Sequence, residues 1–320
     1  MKFATIGHLD SKNRIKQIPR KWIQEKQNLI VSPELDINGT KGHIIVLKTT
    51  AKDMMSKPRQ TIRQKILDSV IYAQNELNVN IIQLGALTTS VTSGGLWLTK
   101  KEKYRGFINH GDSYTAAITC KNVEKALKIF NKKSSDLHIA IVGAYGIIGE
   151  AVSKILVPKF NHSTLIGRRE KKLEELKTVL KGNFETTTSL KTKDADVIVT
   201  ATNHPTALLN SEDLKEKAIV VDVSQPVNLT QELCQKRPDI CRIDGGYVDF
   251  PAKKMIPIPG MPKGKIFSCI AEVIMQAMEN EQKNHVGSID MNYFKKTEKW
   301  GEKYRFVLSE LTNFGTPIKK

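Results

Sequence analysis

Three glycines, Gly143, Gly146 and Gly149, follow the short apolar run 137–142, and a spacing of this kind suits phosphate chemistry. Missing side chains at Gly143 and Gly146 let a pyrophosphate approach the backbone, while Gly149 lets a helix pack close on the preceding strand. Ala144, Tyr145 and Ile147 complete the turn and present their backbone to the same ligand. Backbone N–H groups at a helix start have no intrahelical acceptor, and the helix dipole adds partial positive charge there. Ile147, Ile148, Ala151, Val152, Ile155 and Leu156 recur at helical spacing, and Pro158 closes the pattern. Strand, glycine turn and helix in this order predict a dinucleotide cradle.

Residues 163–167 read as the next strand and run into Arg168 and Arg169. A site for NAD usually places Asp or Glu roughly 20 residues after the glycines, to hold the ribose hydroxyls. Two guanidinium forks suit a 2′-phosphate instead, so the predicted cofactor is NADP(H). The same arginines also fit the start of a solvated helix over 170–181. Thr202, Gly245 and Gly246 fall just past later strands, on the side where this fold holds its ligand. Ordinary strand-end turn chemistry is the safer account of the two glycines.

Cys269 stands in the first turn of a helix predicted over 266–281, with Lys263 and Lys265 just upstream. Free N–H groups, the helix dipole and nearby cations all favour a thiolate, the form that attacks carbonyl carbon. A cysteine on an apolar stripe also fits plain burial. Cys120, Cys234 and Cys241 have no such setting. The chain holds no G-x-S-x-G elbow, H-E-x-x-H pair or P-loop, and its cysteine spacings suggest no metal site.

The elements that must position these groups read as an α/β fold. An N-terminal α/β substrate domain (1–118) has strands over 3–6, 43–47, 81–84 and 114–118 and an amphipathic helix over 59–77. A Rossmann NADP-binding domain (119–250) opens with a linking helix over 121–131 and continues through strands at 196–202, 218–223 and 240–246. A C-terminal segment (251–320) holds an irregular proline-rich loop, part of the stretch 247–265, and then helices, the last over 290–311. The hydroxyl-rich stretches 84–95 and 109–115 read as loops. With 320 residues, 40% of them apolar, the chain is long enough for two cores. No run approaches the ~20 apolar residues of an integral membrane segment, and the N-terminus is too short an apolar run for a signal peptide. The four cysteines are expected as reduced thiols in a cytoplasmic protein. The net charge of +17 comes from lysines spread along the chain, which argues against a dedicated nucleic-acid arm; such a surface would draw nucleic acid or an acidic protein, and a plain Lys-rich solvated surface is an equal account.

The stretches Ile6-Gly-His-Leu9, Leu84-Gly-Ala-Leu-Thr-Thr-Ser90, Gly111-Asp-Ser-Tyr-Thr-Ala116 and Cys120-Lys-Asn-Val-Glu-Lys-Ala126 belong together with the glycine motif, Asp244-Gly-Gly246 and Phe267-Ser-Cys-Ile-Ala-Glu-Val273. In this order, along nearly the whole chain, they resemble the long-chain acyl-[acyl-carrier-protein] reductases, fatty-aldehyde-forming enzymes best known from cyanobacteria. Residues 10–45, the proline loop and the tail after His285 agree least. The resemblance implies that Cys269 accepts the acyl group from an acidic acyl carrier protein or from acyl-CoA, and that NADPH reduces it to an aldehyde. Glu272, one turn along the same helix as Cys269, is a candidate to orient or protonate, with a solvated helical glutamate an equal account, and Ser113 and Thr115 are candidate oxyanion donors. His8 and His110 are further acid–base candidates, with a structural role the better account of each. An acidic carrier would account for the basic surface without nucleic acid, and a downstream aldehyde-using enzyme would be a second partner. A shikimate dehydrogenase or glutamyl-tRNA reductase type of oxidoreductase, or a non-catalytic cofactor-sensing protein, are the alternatives.

Overall fold

The computed structural model describes residues 1–9, 12–204, 206–251 and 261–318. The chain forms two compact units, Met1–Tyr114 with Asp249–Phe306, and Thr115–Val248 with Val307–Lys320. The expected C-terminal segment is thus divided, its helices folding with the N-terminal unit. Within the proline-rich stretch, residues 252–260 lie outside the described residues.

The first unit is built on β1 (Phe3–Leu9), β2 (Ile23–Gln24), β3 (Leu29–Val31), β4 (Leu35–Ile37), β5 (Thr40–Thr50), β6 (Ile81–Leu84) and β7 (Phe107–Asn109). They form one sheet in the order β2-β3-β5-β1-β6-β7, with β4 also pairing β5. β1 pairs in parallel with both β5 and β6, so its apolar residues are central and buried. Two helices follow β5. In α1 (Ala51–Ser56), Thr50 and Asp53 form a reciprocal capping box. Next, α2 (Arg59–Leu77) begins after Pro58, ends at left-handed Asn78 and buries Ile62, Ile66, Val70 and Ala73. The stretch expected as a loop after β6 contains a short helix, α3 (Leu87–Val91).

Residues 114–118 are not a strand. They lie inside α4 (Asp112–Ile129), whose first turn starts nine residues before the expected helix. The reason is burial on all sides: residues 113–120 are buried without exception, so no helical period shows, and Tyr114, Thr115, Ile118 and Thr119 are β-prone by type.

The second unit contains β8 (His138–Val142), α5 (Ile147–Leu156), β9 (His162–Ile166), α6 (Glu170–Lys177), β10 (Phe184–Thr187), β11 (Val197–Thr200), β12 (Ile219–Asp222), α7 (Gln231–Lys236) and β13 (Cys241–Asp244). All six strands are parallel, in the order β10-β9-β8-β11-β12-β13. This is the doubly wound order in which the first strand lies beside the fourth and the ligand crevice opens at that switch point. β10 is absent from the sequence expectation because, as a partly exposed edge strand, it has no apolar run to betray it.

The first unit is completed by α8 (Ser268–Met278) and α9 (Met291–Tyr304). α8 starts two residues later than expected because Lys265–Phe267 is a strand. Nearly all of α8 is buried, from Ser268 and Ile270 through Ala277. No helix among the described residues is long and apolar enough to cross a membrane.

Candidate active site

At the end of β8, Gly143 adopts a φ of 89°, and the N–H groups of Gly143 and Ala144 donate to the Ile166 carbonyl at 2.9 and 3.1 Å. A bond of 2.8 Å from the Gly146 N–H to the Gly143 carbonyl closes the turn. Gly146 then caps α5 without a side chain, leaving the N–H groups of Ile147 and Ile148 with no helical acceptor. A Cβ at Gly143 would lie 2.4 Å from the Ala201 carbonyl oxygen, and one at Gly149 only 2.1 Å from that of Gly143. Bare backbone and helix-start donors at the β8–β11 switch point fit a pyrophosphate.

Tyr145 lies over Gly167, where a Cβ would come within 2.3 Å of the ring. Its hydroxyl accepts the Arg169 N–H at 3.1 Å, and the Arg169 guanidinium sits 5.3 Å from the ring centroid. A planar cation is therefore held at the end of β9, with Arg168 exposed beside it. Arg169→Ala is expected to weaken NADPH binding about tenfold while leaving NADH little changed, since one charge-assisted contact to a 2′-phosphate is worth that much. Parallel fluorescence titrations with the two nucleotides check this.

Thr202 follows β11, its N–H on the Ser224 hydroxyl at 3.0 Å and its own hydroxyl on Asn228 Oδ1 at 3.0 Å. The Gly245 carbonyl accepts from the Thr119 hydroxyl at 3.2 Å and the Asn122 amide at 3.3 Å, and half-buried Gly246 follows it. Behind these residues lies a network that sequence reading missed. Fully buried Arg242 bridges Asp244 at 2.7 Å and Asp222 at 3.3 Å. Asp222 also takes the Thr200 hydroxyl at 2.6 Å and the Asn228 N–H at 2.9 Å, so it fixes the residues that hold Thr202. The signal available was an Arg-x-Asp pair on one face of a strand otherwise reading as core.

In the first unit, Cys269 sits at the start of α8 against the Gly111 backbone. A Cβ on Gly111, whose φ is 72°, would lie 2.6 Å from both Cys269 Cβ and the Cys269 carbonyl oxygen. Only glycine lets the start of α4 approach so closely, and this brings Asp112 beside the thiol, with Glu272 one turn along α8 itself. Glu272 is wholly buried, and its Oε2 accepts the Tyr114 N–H at 2.6 Å; the Ser113 N–H points to the same carboxylate. Its Oε1 makes no well-aligned hydrogen bond, although the Asn109 amide and Tyr293 hydroxyl lie near the carboxylate. Asn109 is itself fixed by Gln276 Oε1 at 2.6 Å and the Gly111 N–H at 2.6 Å.

The expected lowering of the thiol pKa is not found. Cys269 keeps some exposed surface as a residue, but burial around its sulfur, with Asp112 and Glu272 adding negative charge, pushes it up to about 12. Helix-start N–H groups oppose this and lose. Burial likewise raises Glu272 to about 7, against the hydrogen bonds that favour its charge, and drives Asp112 well above the usual carboxylate range, with Glu272 contributing. His110 is driven down to about 3 by burial and His285. Its Nδ1 accepts the Asp112 N–H at 2.9 Å, so the neutral ring carries its proton on buried, unpartnered Nε2. His8 is tied to backbone, with Nε2 accepting the Leu87 N–H at 3.4 Å. Thr115 lies buried in the second unit's portion of α4. Asp112 was missed as a site residue because it reads as one polar residue in a hydroxyl-rich stretch.

The sheet order, the cradle and the stacked arginine define an NADP(H)-binding domain of the oxidoreductase type. Residues 124–244, lying within this unit, match the model of the Shikimate / quinate 5-dehydrogenase family. Along its length the chain is similar to the long-chain acyl-[acyl-carrier-protein] reductase of Synechococcus elongatus, with 23% identity covering 94% of this chain and 96% of that protein. It is also similar to the bifunctional protein FolD of Staphylococcus saprophyticus, 30% identical over 42% of this chain and 40% of that one. Among solved structures, L-tryptophan dehydrogenase of Nostoc punctiforme aligns at 13% identity and a TM-score of 0.46, over 96% of this chain and 81% of that one. The chain is an NADP(H)-dependent oxidoreductase.

Proposed function

We propose that the protein reduces a long-chain acyl thioester, carried by an acyl carrier protein or by CoA, to a fatty aldehyde through an acyl group on Cys269. The observation that carries this reading is the packing of Cys269 against Gly111, with the carboxyls of Asp112 and Glu272 beside it. Similarity to an acyl-[acyl-carrier-protein] reductase along nearly the whole chain supports the substrate class.

A thiol held near 12 is protonated at neutral pH, so attack needs an adjacent base. Glu272, near 7 and with one oxygen unbonded, takes the thiol proton as sulfur attacks the thioester carbonyl. The tetrahedral adduct expels the pantetheine thiolate, which recovers the proton from Glu272 and leaves an acyl-cysteine. Thioester exchange is nearly isoenergetic, which is why sulfur suits this step. Bound NADPH supplies the hydride that reduces the acyl carbon. The resulting hemithioacetal oxyanion collapses to aldehyde and returns the Cys269 thiolate, which takes up the one proton the reduction consumes from solvent, relayed through Glu272 or Asp112. Ser113, in the same unit as Cys269, is the candidate donor to the oxyanion.

Intact-mass measurement after exposure to acyl donor without NADPH tests the reading. An added acyl mass that is absent in Cys269→Ser is expected; an unmodified protein that still consumes NADPH in the full assay would overturn it.

A further inference from the structure

Two arginines one turn apart on α2 converge on the same two oxygens. Nε of both Arg59 and Arg63 donates to the Val91 carbonyl at 2.9 Å, and Nη2 of each donates to the Ser93 hydroxyl, at 3.1 and 3.2 Å. A third bond of 3.0 Å joins Arg59 to the Ser90 carbonyl. The Lys101 ammonium lies 4.5 Å from the Trp97 ring centroid, and the Arg63 guanidinium lies 5.1 Å from the same centroid.

Guanidinium groups held this close repel, and among the described residues no carboxylate pairs with them. Burial and the Arg59 charge both push the Arg63 pKa down, but arginine stays charged. Carbonyls at the end of α3 hold the two forks in place yet offset only a fraction of two full charges. Ser93 accepts two N–H donors, which uses both its lone pairs and leaves its own proton to donate outward. Its positive φ of 57° holds the hydroxyl in this position. Two converging guanidiniums, Lys101 on the ring that Arg63 also covers, a hydroxyl proton turned outward and, among the described residues, no paired carboxylate describe a receptor for a tetrahedral oxyanion.

We propose that Arg59, Arg63, Ser93 and Lys101 bind a phosphate, and that the phosphate is the one at the 4′ end of the pantetheine arm common to acyl-CoA and acyl carrier proteins. The choice of that phosphate rests on the acyl-thioester reading; the anion site itself does not. Placement agrees with it. Gly95, two residues beyond Ser93, packs on Ile108, where a Cβ would lie 2.9 Å away, and Gly111 packs on Cys269. Ile108 and Gly111 are three residues apart, at most about 11 Å even for fully extended chain. The arm is long enough to span such an interval.

Calorimetric titration of the full chain with pantetheine, 4′-phosphopantetheine and inorganic phosphate tests the site. Phosphopantetheine is expected to bind at least about tenfold tighter than pantetheine, the worth of one or two charge-assisted hydrogen bonds. Ser93→Asp sets a carboxylate between the two guanidiniums, which stabilises the fold while filling the site. That variant is expected to erase the phosphate preference, to bind inorganic phosphate no longer, and to raise KM for acyl-CoA and acyl carrier protein alike with kcat unchanged. Equal binding of pantetheine and its phosphate by the native chain would overturn the proposal, as would a preference that survives in Ser93→Asp. A KM effect confined to acyl-CoA would assign the cations to the nucleotide end of CoA and overturn the shared arm. Phosphate binding lost in Ser93→Asp, in a protein whose Cys269 takes no acyl group, would leave the anion site standing and remove the acyl-thioester reading.

Discussion

Cys269→Ser is expected to abolish aldehyde formation, with kcat/KM falling on the order of 10,000-fold, while NADPH affinity and melting temperature stay at native values. The size of the loss follows from chemistry that the rest of the site does not replace. A serine hydroxyl is far less acidic than even a thiol raised to about 12, so Glu272 near 7 is too weak a base for it. Any ester that did form would accept hydride less readily than a thioester. Stability is spared because the exchange is nearly isosteric and Cys269 interrupts an otherwise buried run of α8 with a partly exposed position. Three measurements separate the outcomes: NADPH consumption, mass of the acylated protein and nucleotide titration. Native turnover in the serine variant would make the chain a dehydrogenase that needs no covalent intermediate.

What was legible in the sequence depended on whether a residue's role leaves a local pattern. The cradle was readable because a parallel strand, a glycine turn and an amphipathic helix are contiguous, and the structure places Gly143, Gly146 and Gly149 at the β8–β11 switch point. The position of Arg169 just past β9 could be read for the same reason, although its stacking on Tyr145 could not. The thiol's environment was not legible. Helix-start logic predicts a lowered pKa for Cys269, whereas α4 brings Asp112 against it from 157 residues away in sequence and burial dominates. The start of α4 failed for a related reason: a helix buried on every face shows no period, and β-prone Tyr114 and Ile118 imitate a strand. The Asp222–Arg242–Asp244 network escaped because its three charges are spread over two strands that look like core from either one.

Glu272→Gln is expected to move activity and stability in opposite directions with pH. In the folded chain Glu272 titrates at about 7 rather than its ordinary 4.5, chiefly because burial penalises the carboxylate. Between those values the folded state holds a proton that the unfolded state has lost. Stability contributed by this group is therefore full below 4.5 and is lost as pH rises through 7. At 1.36 kcal/mol per pH unit the window is worth about 3 kcal/mol, with the apparent value shared with nearby Asp112. Glutamine keeps an oxygen for the Tyr114 N–H but cannot ionise, so the variant's unfolding free energy should lack this group's fall between pH 5 and 8, and above pH 7 it should exceed that of the native chain. Catalysis runs the other way. The native rate of acyl transfer rises as Glu272 loses its proton, and the glutamine variant should lack that rise and be slower by about 100- to 1,000-fold at pH 8. Neutral His110, its pKa driven down to about 3, is too weak a base to substitute. A merely structural glutamate would show the stability change with a native pH–rate profile, and that result would remove Glu272 from the proton path.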